Sequence, residues 1–440
     1  MTTTIPHVAR ALTDVLTSVA DRAAHSSGFV RRQSKLTGAA FVQTLTFGWL
    51  ANPQATLEEL TQTAAALGVT ISPQGLDQRF SRRAARCLRT VLEAAVTRVL
   101  AARPAAVPLL QRFAGGVWLL DSTTVALPDA LAHVWRGCGR NSDHGQAAVK
   151  LQVRLDLLHG VLAGPILQPG RDNDHQGTLQ DEPLPAGSLH LADLGFFDLD
   201  RLRTLAGAGV YWLTRVQTNT RIHDAQGRVW TLPELLAEEK RPEVDIAIRL
   251  GLQHRLPCRL VAQRVPPAVA AQRRRRMLEK ARHRQKKVDP GRWALADWTV
   301  YVTNVPPALL NLAEALIVAR CRWQIELLFK LWKSEGRIDE SRSAQPWRIL
   351  CEVYSKLLGM VLQHWMLLIS CWSHADRSLV KASRTVRSHA LQLAVVLGNG
   401  LLVCRVLELI GRCLQHGCRV NKRRKQPATF QMLLNPPASG

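Results

Sequence analysis

The chain has 440 residues, of which 58 are Lys or Arg and 34 are Asp or Glu, so its formal net charge is +24. This length allows more than one hydrophobic core, and so large a positive charge points to a polyanionic partner. The nine scattered cysteines fit reduced thiols in a cytosol, and we expect neither a secretory leader nor a membrane-spanning helix.

The first quarter of the chain is predicted to be helical. Thr56-Leu57-Glu58-Glu59 is a capping box that opens one helix, and a serine and a proline precede a second helix at residues 74–83. Two helices joined by a short glycine-containing turn are typical of a helix-turn-helix. We expect Arg79, Arg82 and Arg83 to face DNA; the alternative is an ordinary helical hairpin with a solvated basic face.

Two short apolar runs further along the chain each lead into an aspartate. Residues 117–120 precede Asp121, and residues 189–192 precede Asp193, which is followed by a glycine turn. Both runs are predicted to be buried strands with an acid at or near the end. Taken singly, an aspartate at a strand end is commonly no more than a turn-capping residue.

The region between these acids is predicted to be a β-hairpin. Residues 149–157 alternate apolar and polar side chains, His159-Gly160 forms a turn, and residues 161–167 return as the partner strand. A further strand is predicted at residues 211–216. Together with the two acid-bearing strands, these elements predict a mixed sheet with helices on its faces, which can bring acids to one edge.

Residues 217–300 are predicted to contain extra strands. They include the basic run Arg273-Arg274-Arg275-Arg276, which we expect to be mobile unless DNA is present.

One long helix is predicted after Pro307, because no helix breaker occurs until Gly336. At 100° per residue, Arg322, Glu326 and Lys333 share a stripe on a helix that is otherwise mostly apolar, and Lys330 lies beside it. Buried charges are costly unless they are paired or bound to something. An Arg322–Glu326 salt bridge and a cationic active site are both consistent with this pattern.

Three carboxylates, from Asp121, Asp193 and Glu326, would suit two divalent metal ions. Two such ions can stabilise the attacking and leaving oxygens of a phosphodiester, and Mg²⁺ prefers carboxylate, water and phosphate oxygens.

With these residues, the sequence resembles the DDE transposases of bacterial insertion sequences, and among them the insertion-sequence-four group. The signature of that group is Tyr, two residues, Arg, three residues, Glu, six residues, Lys. Arg322, Glu326 and Lys333 match it, whereas Ala319 stands in the tyrosine position. Asp121 in LLDSTT and Asp193 in LADLGF resemble the two family aspartates.

The resemblance implies an α/β fold: an RNase H-like core, with a mixed sheet flanked by helices, interrupted by a β-rich insertion and accompanied by helical N- and C-terminal regions. The implied segments are a helical DNA-binding domain at 1–105, catalytic core at 106–216 and 305–346, a β-rich insertion at 217–304, and a helical region at 347–440 that could pair two copies of the chain.

The resemblance also implies metal-dependent cleavage of DNA ends and strand transfer, by a cut-and-paste route through a DNA hairpin. Two Mg²⁺ ions, replaceable by Mn²⁺, would bind Asp121, Asp193 and Glu326. The implied partners are double-stranded terminal inverted repeats, target DNA and a second copy of the chain, on the nucleoid in the bacterial cytoplasm. A catalytically silent DNA-binding regulator and an RNase H-like nuclease are the alternatives.

Further DNA contacts follow from the same resemblance. Arg322, Lys330 and Lys333 would hold phosphates, and Trp298, or else Trp293, would stack on an unpaired base; both tryptophans could instead pack the core of the insertion. The family tyrosine contacts DNA near the cut, so we expect Ala319→Tyr to be tolerated and to raise end cleavage.

Overall fold

The computed structural model describes residues 4–32, 35–139, 146–283, 285–423 and 427–435. The chain forms two compact units. The first unit comprises Met1–Ala106, Asp121–Glu182 and Gln324–Arg423, and the second comprises Val107–Leu120, Pro183–Trp323 and Arg424–Gly440. In the described ranges, no helix combines the length and the apolar character that crossing a bilayer requires.

The first unit begins with helices, as predicted. They are α1 (Ile5–Asp14), α2 (Ala20–Ser26), α3 (Gly38–Ala51), α4 (Leu57–Ala66), α5 (Pro73–Asp77) and α6 (Arg82–Val96), with a π-helical turn at Val15–Val19.

The predicted single helix at residues 74–83 is wrong. Helix α5 ends at Asp77, and the Ser81 hydroxyl accepts the N–H of Ala84 and thereby begins α6. Arg79 therefore lies in the turn between the two helices, whereas Arg82 and Arg83 lie in the first turn of α6. A serine N-cap inside the predicted helix is the physical reason for the break.

The remaining elements alternate strands and helices through the middle of the chain. They are α7 (Pro108–Gln111), β1 (Val117–Leu127), β2 (Ala147–Asp156), β3 (Leu162–Pro169), β4 (Leu189–Ala192), α8 (Leu199–Gly207), β5 (Tyr211–Thr214), β6 (Ile222–His223), β7 (Val229–Trp230), α9 (Leu232–Glu238), β8 (Glu243–Leu250), β9 (Leu256–Arg264), α10 (Pro267–His283), α11 (Pro290–Ala294) and β10 (Trp298–Thr303). Helices then follow to the end: α12 (Leu312–Ala319), α13 (Trp323–Ser334), α14 (Pro346–Leu367), α15 (Leu379–Ser388), α16 (Ala390–Val396), α17 (Gly400–Gly417) and α18 (Thr429–Leu434).

The ten strands form one mixed sheet in the order β3-β2-β1-β4-β5-β10-β9-β8-β6-β7. Strand β1 pairs in parallel with β4, and β4 with β5, whereas β2 and β3 form the predicted antiparallel hairpin. The fold class is confirmed: a mixed sheet flanked by helices, consistent with an RNase H-like core.

Strand β1 is longer than the predicted run of residues 117–120. It continues to Leu127, so Asp121 lies within the strand and not at its end. The polar stretch after Leu120 keeps its extended form as part of the sheet, and the predicted boundary was wrong for that reason. Asp193, by contrast, directly follows β4 as predicted.

The insertion extends the sheet. Strand β10 pairs antiparallel with both β5 and β9, and β9 pairs with β8. The expectation that residues 273–276 are mobile is wrong, because they lie on α10. There the Arg273 guanidinium donates to the Trp298 carbonyl at 2.7 Å, and Arg274 pairs with Asp297 at 2.5 Å. These contacts hold the helix against the start of β10.

Candidate active site

In the second unit, Asp193 lies beside Arg322. Asp193 adopts an extended conformation at the start of a 3₁₀ turn, Leu194–Phe196, and its side chain is 43% exposed. The Arg322 Nε lies 3.9 Å from the Asp193 Oδ1. The cation therefore faces the acid at the end of β4, and the structure brings these two predicted site residues together.

The predicted long helix is interrupted where it carries the signature residues. Helix α12 ends at Ala319, Arg320–Arg322 form a 3₁₀ turn, and α13 starts at Trp323. With three residues per turn, Ala319 and Arg322 lie on the same side of that turn, whereas a continuous α-helix would separate them by about 60°. The predicted α-helical spacing of the charged residues therefore applies only from Trp323 onward.

Ala319 lines a small cavity with Asp193, Arg322, Arg215 and Tyr301. The cavity has a volume of about 10 Å³, enough for about one water molecule, and Ala319 is 6% exposed. Tyr301, which comes from β10, lines the same cavity, so a tyrosine at position 319 would have to share this small space with it. The effect of Ala319→Tyr stays a prediction, and the structure adds an expected cost in stability.

Ala319→Tyr is expected to lower the free energy of unfolding by about 1–3 kcal/mol, the usual cost of overpacking a filled interior. Chemical denaturation of the variant measures this loss. The double variant Ala319→Tyr with Tyr301→Ala should regain part of it, because removing one ring makes room for the other. A single variant as stable as the parent chain would show that the cavity opens without cost.

In the first unit, Asp121, Glu326, Lys330 and Lys333 lie on β1 and α13. The Asp121 Oδ1 accepts the N–H of Ser122 at 2.8 Å. Glu326 lies in the first turn of α13 and is half-buried, whereas Lys330 is exposed. The Lys333 Nζ donates to the Thr124 carbonyl of β1 at 3.0 Å, so this lysine ties the glutamate helix to the strand of Asp121.

The apolar surface of α13 also differs from the prediction. Trp323 and Leu327 are 46% and 38% exposed, whereas Phe329, which has the same helical spacing as the charged residues, is 6% exposed. These two apolar residues lie next to the charged residues along the helix, so this face of the helix is exposed and not buried in a core.

The carboxylates have the right chemistry for Mg²⁺, since hard cations take oxygen ligands. Within the described residues, however, no group of three or more His, Cys, Asp or Glu side chains is arranged to hold a metal ion.

Trp298 lies in the core of the insertion. It is 6% exposed, packs among the buried apolar side chains of the sheet, and carries the Arg264 guanidinium 4.7 Å from its ring centre. A nucleobase could not stack on it without opening that core, so its assignment as the first stacking candidate is not supported. Trp293, the second candidate, is 37% exposed.

The predicted DNA-facing arginines of the first unit lie at an open cavity. Arg79 and Arg83 line a concave surface with a volume of about 460 Å³, together with Arg31 and Arg32. All four are exposed, and they form no ion pair within the residues that the structure describes. Arg82 is exposed beside them but does not line the cavity.

Four residues of these two places were not predicted from the sequence: Arg215 and Tyr301 beside Asp193, and Arg31 and Arg32 beside Arg79. Arg215 directly follows β5 and is the last residue of the run Tyr-Trp-Leu-Thr-Arg. Because β5 pairs with β4, Arg215 lies next to the end of β4. Its position in the sequence, however, does not mark it as a site residue. Tyr301 reaches the site only because β10 pairs with β5, a pairing between residues far apart in sequence.

Comparison with known proteins shows that this chain is similar to transposases of insertion sequences. The family described as Transposase DDE domain matches residues 113–362. The transposase for insertion sequence element IS231F of Bacillus thuringiensis subsp. israelensis is 24% identical over 432 residues, covering 92% of this chain and 90% of that protein. The IS231D transposase of Bacillus thuringiensis subsp. finitimus is 26% identical, covering 78% and 76%. The IS1151 transposase of Clostridium perfringens is 22% identical, with the same coverage.

Proposed function

This chain belongs to the DDE transposase family, and we propose that it cleaves the ends of its own insertion sequence and joins them to target DNA. The observation that carries the proposal is the Asp193–Arg322 pair, at the end of β4 and one turn before Glu326, inside the segment that matches the family. Proteins of this family act as polynucleotidyl transferases and generally use divalent metal ions. The cut-and-paste route and the hairpin intermediate are part of the proposal.

We propose that Asp121, Asp193 and Glu326 are the catalytic carboxylates and hold two Mg²⁺ ions, with Mn²⁺ as a substitute. When bound, the ions would stabilise charge on the attacking and leaving oxygens of the phosphodiester. Arg322, Lys330 and Lys333 would hold the scissile and flanking phosphates. Support comes from the oxygen donors, from Arg322 beside Asp193, and from Lys333, which contacts the strand of Asp121.

The proposed reaction consists only of hydrolysis and transesterification of phosphodiester bonds. Water attacks the phosphodiester at the element end, which breaks one P–O bond, forms another and leaves a 3′-hydroxyl. In the proposed route this hydroxyl attacks the opposite strand and forms a hairpin on the element end, and a second water then opens the hairpin and regenerates the 3′-hydroxyl. That hydroxyl attacks a phosphodiester of the target, so in each step one P–O bond replaces another and no energy cofactor is required.

We propose that the four-arginine cavity of the first unit binds the DNA backbone. Clustered guanidinium groups without carboxylate partners repel each other, and phosphates would relieve that repulsion. Double-stranded terminal repeats are the proposed ligand of residues 1–105. Residues 347–440 are proposed to pair two copies on DNA, on the nucleoid of the bacterial cytoplasm; the resemblance to the family supports both.

Replacing Arg79 and Arg83 by Ala should weaken binding to end DNA and make it less sensitive to salt. Each lost phosphate contact lowers the slope of log K against log salt concentration by about 0.9, so a decrease of about 2 is expected. Fluorescence anisotropy at several salt concentrations measures the slope. The matched control is the double replacement of Arg203 and Arg228, exposed arginines that already pair with Asp200 and Asp224. An equal decrease in the control would show that the effect comes only from the change in net charge.

A strand-transfer assay tests the proposed activity. Purified protein, a labelled end fragment and a target plasmid are incubated with Mg²⁺ or Mn²⁺. Joined products are expected. Cleavage without joining would mark the chain as a nuclease, and binding without either product would mark it as a silent regulator.

A further inference from the structure

Strand β2 presents three polar side chains on one face, at alternating positions: Lys150, Gln152 and Arg154. The Gln152 Nε2 donates to the Asp174 carbonyl at 3.1 Å, and Arg154 donates to two carbonyls further along the same segment, at 3.0 and 2.9 Å. Lys150 donates to a fourth carbonyl of this segment, that of Asp172. Buried donors must find partners, so this face fixes the position of residues 172–182.

The segment held in this way carries Asp174 to strand β1. The Asp174 Oδ1 accepts a hydrogen bond from the Ser122 hydroxyl at 2.7 Å and another from the Lys150 Nζ at 3.0 Å. Ser122 in turn donates its N–H to the Oδ1 of Asp121 at 2.8 Å. A continuous chain of hydrogen bonds therefore runs from Asp174 through Ser122 to Asp121.

We propose that Asp174 is a positioning residue that orients the Asp121 carboxylate through Ser122. Lys150, with 11% of its side chain exposed, balances the charge of Asp174. The carboxylate is thus committed to holding Ser122 in place. This inference rests on the proposed catalytic role of Asp121. Groups that orient metal-binding side chains typically change activity or metal affinity by about 10–100-fold when they are lost.

Asp174→Ala and Ser122→Ala are the variants that test this role. Each should lower kcat of end cleavage by about 10–100-fold while the Kd for end DNA stays unchanged. Asp174→Asn keeps an oxygen that can accept from Ser122, so it should restore most of the rate. The double variant should lose no more than either single one, since both break the same link. Asp172→Ala is the matched control, because Asp172 enters the network only through its main-chain carbonyl.

A second readout does not depend on activity. Amide hydrogen exchange over β1 should be faster in Asp174→Ala and Ser122→Ala than in Asp172→Ala, because the hydrogen-bond chain no longer restrains residues 121–122. Unchanged exchange, or additive losses of kcat in the double variant, would overturn the inference. If the parent chain cleaves no DNA but the exchange difference is found, the proposed function fails while the structural link stands.

Discussion

Replacing Asp121, Asp193 or Glu326 by Ala should lower end cleavage by more than about 100-fold, because loss of a carboxylate proposed to bind metal should exceed the 10–100-fold effects typical of the groups around such a ligand. The Kd for end DNA should stay close to that of the parent chain, since the arginines of the first unit that we propose to bind DNA are unchanged. Cleavage of a labelled end fragment under single-turnover conditions and fluorescence anisotropy measure the two quantities separately.

The control for this experiment is Asp200→Ala. Asp200 is an acid on α8 whose side chain is 66% exposed and pairs with Arg203, so its removal changes the charge without touching the site. Full cleavage by any one of the three carboxylate variants would remove that residue from the proposed site. Weaker DNA binding by all three would instead show that they act in binding and not in chemistry.

Local pattern was enough to predict the elements that carry the acids. An apolar run followed by a turn located β4 and Asp193, and strict alternation located the β2–β3 hairpin. These features depend on neighbours in sequence, where periodicity and turn residues decide the structure. The spacing of Arg322, Glu326 and Lys333 could be recognised in the same way, because it is fixed along the chain, and their role stays a prediction.

Features that depend on distant contacts could not be predicted in this way. The turn Arg320–Arg322 contains no helix breaker, yet the chain tightens there into a 3₁₀ geometry. The burial of Trp298 and the approach of Tyr301 to Ala319 both depend on strand pairing within the insertion. The Asp174–Ser122 hydrogen bond joins residues 52 positions apart. No periodicity within a strand encodes such a contact.

The loop that follows α13 is held by a buried ion pair on α14. The Lys356 Nζ lies 2.6 Å from the Glu352 Oε1, and 2% and 6% of the two side chains are exposed. Lys356 also donates to the carbonyls of Arg337 and Glu340 at 2.9 and 2.8 Å, so all three of its N–H groups have partners. Burial lowers the pKa of Lys356, and Glu352 opposes that shift.

Lys356→Met is expected to lower the free energy of unfolding by about 3–5 kcal/mol, because removing one partner leaves a buried carboxylate without its counter-charge. It also frees the carbonyl of Arg337, which has a positive φ of 45° and needs such support to keep that conformation. Urea denaturation measures the loss. End cleavage should fall as well, since the freed loop follows directly on the helix of Glu326.

The double variant Lys356→Met with Glu352→Leu separates charge from packing. Apolar side chains of similar size can replace a buried ion pair at little cost, so the double variant should recover most of the lost stability. Its cleavage rate should nevertheless stay low, because the carbonyls of Arg337 and Glu340 have still lost their donor. Recovery of both stability and cleavage would show that the ion pair does not position the glutamate helix.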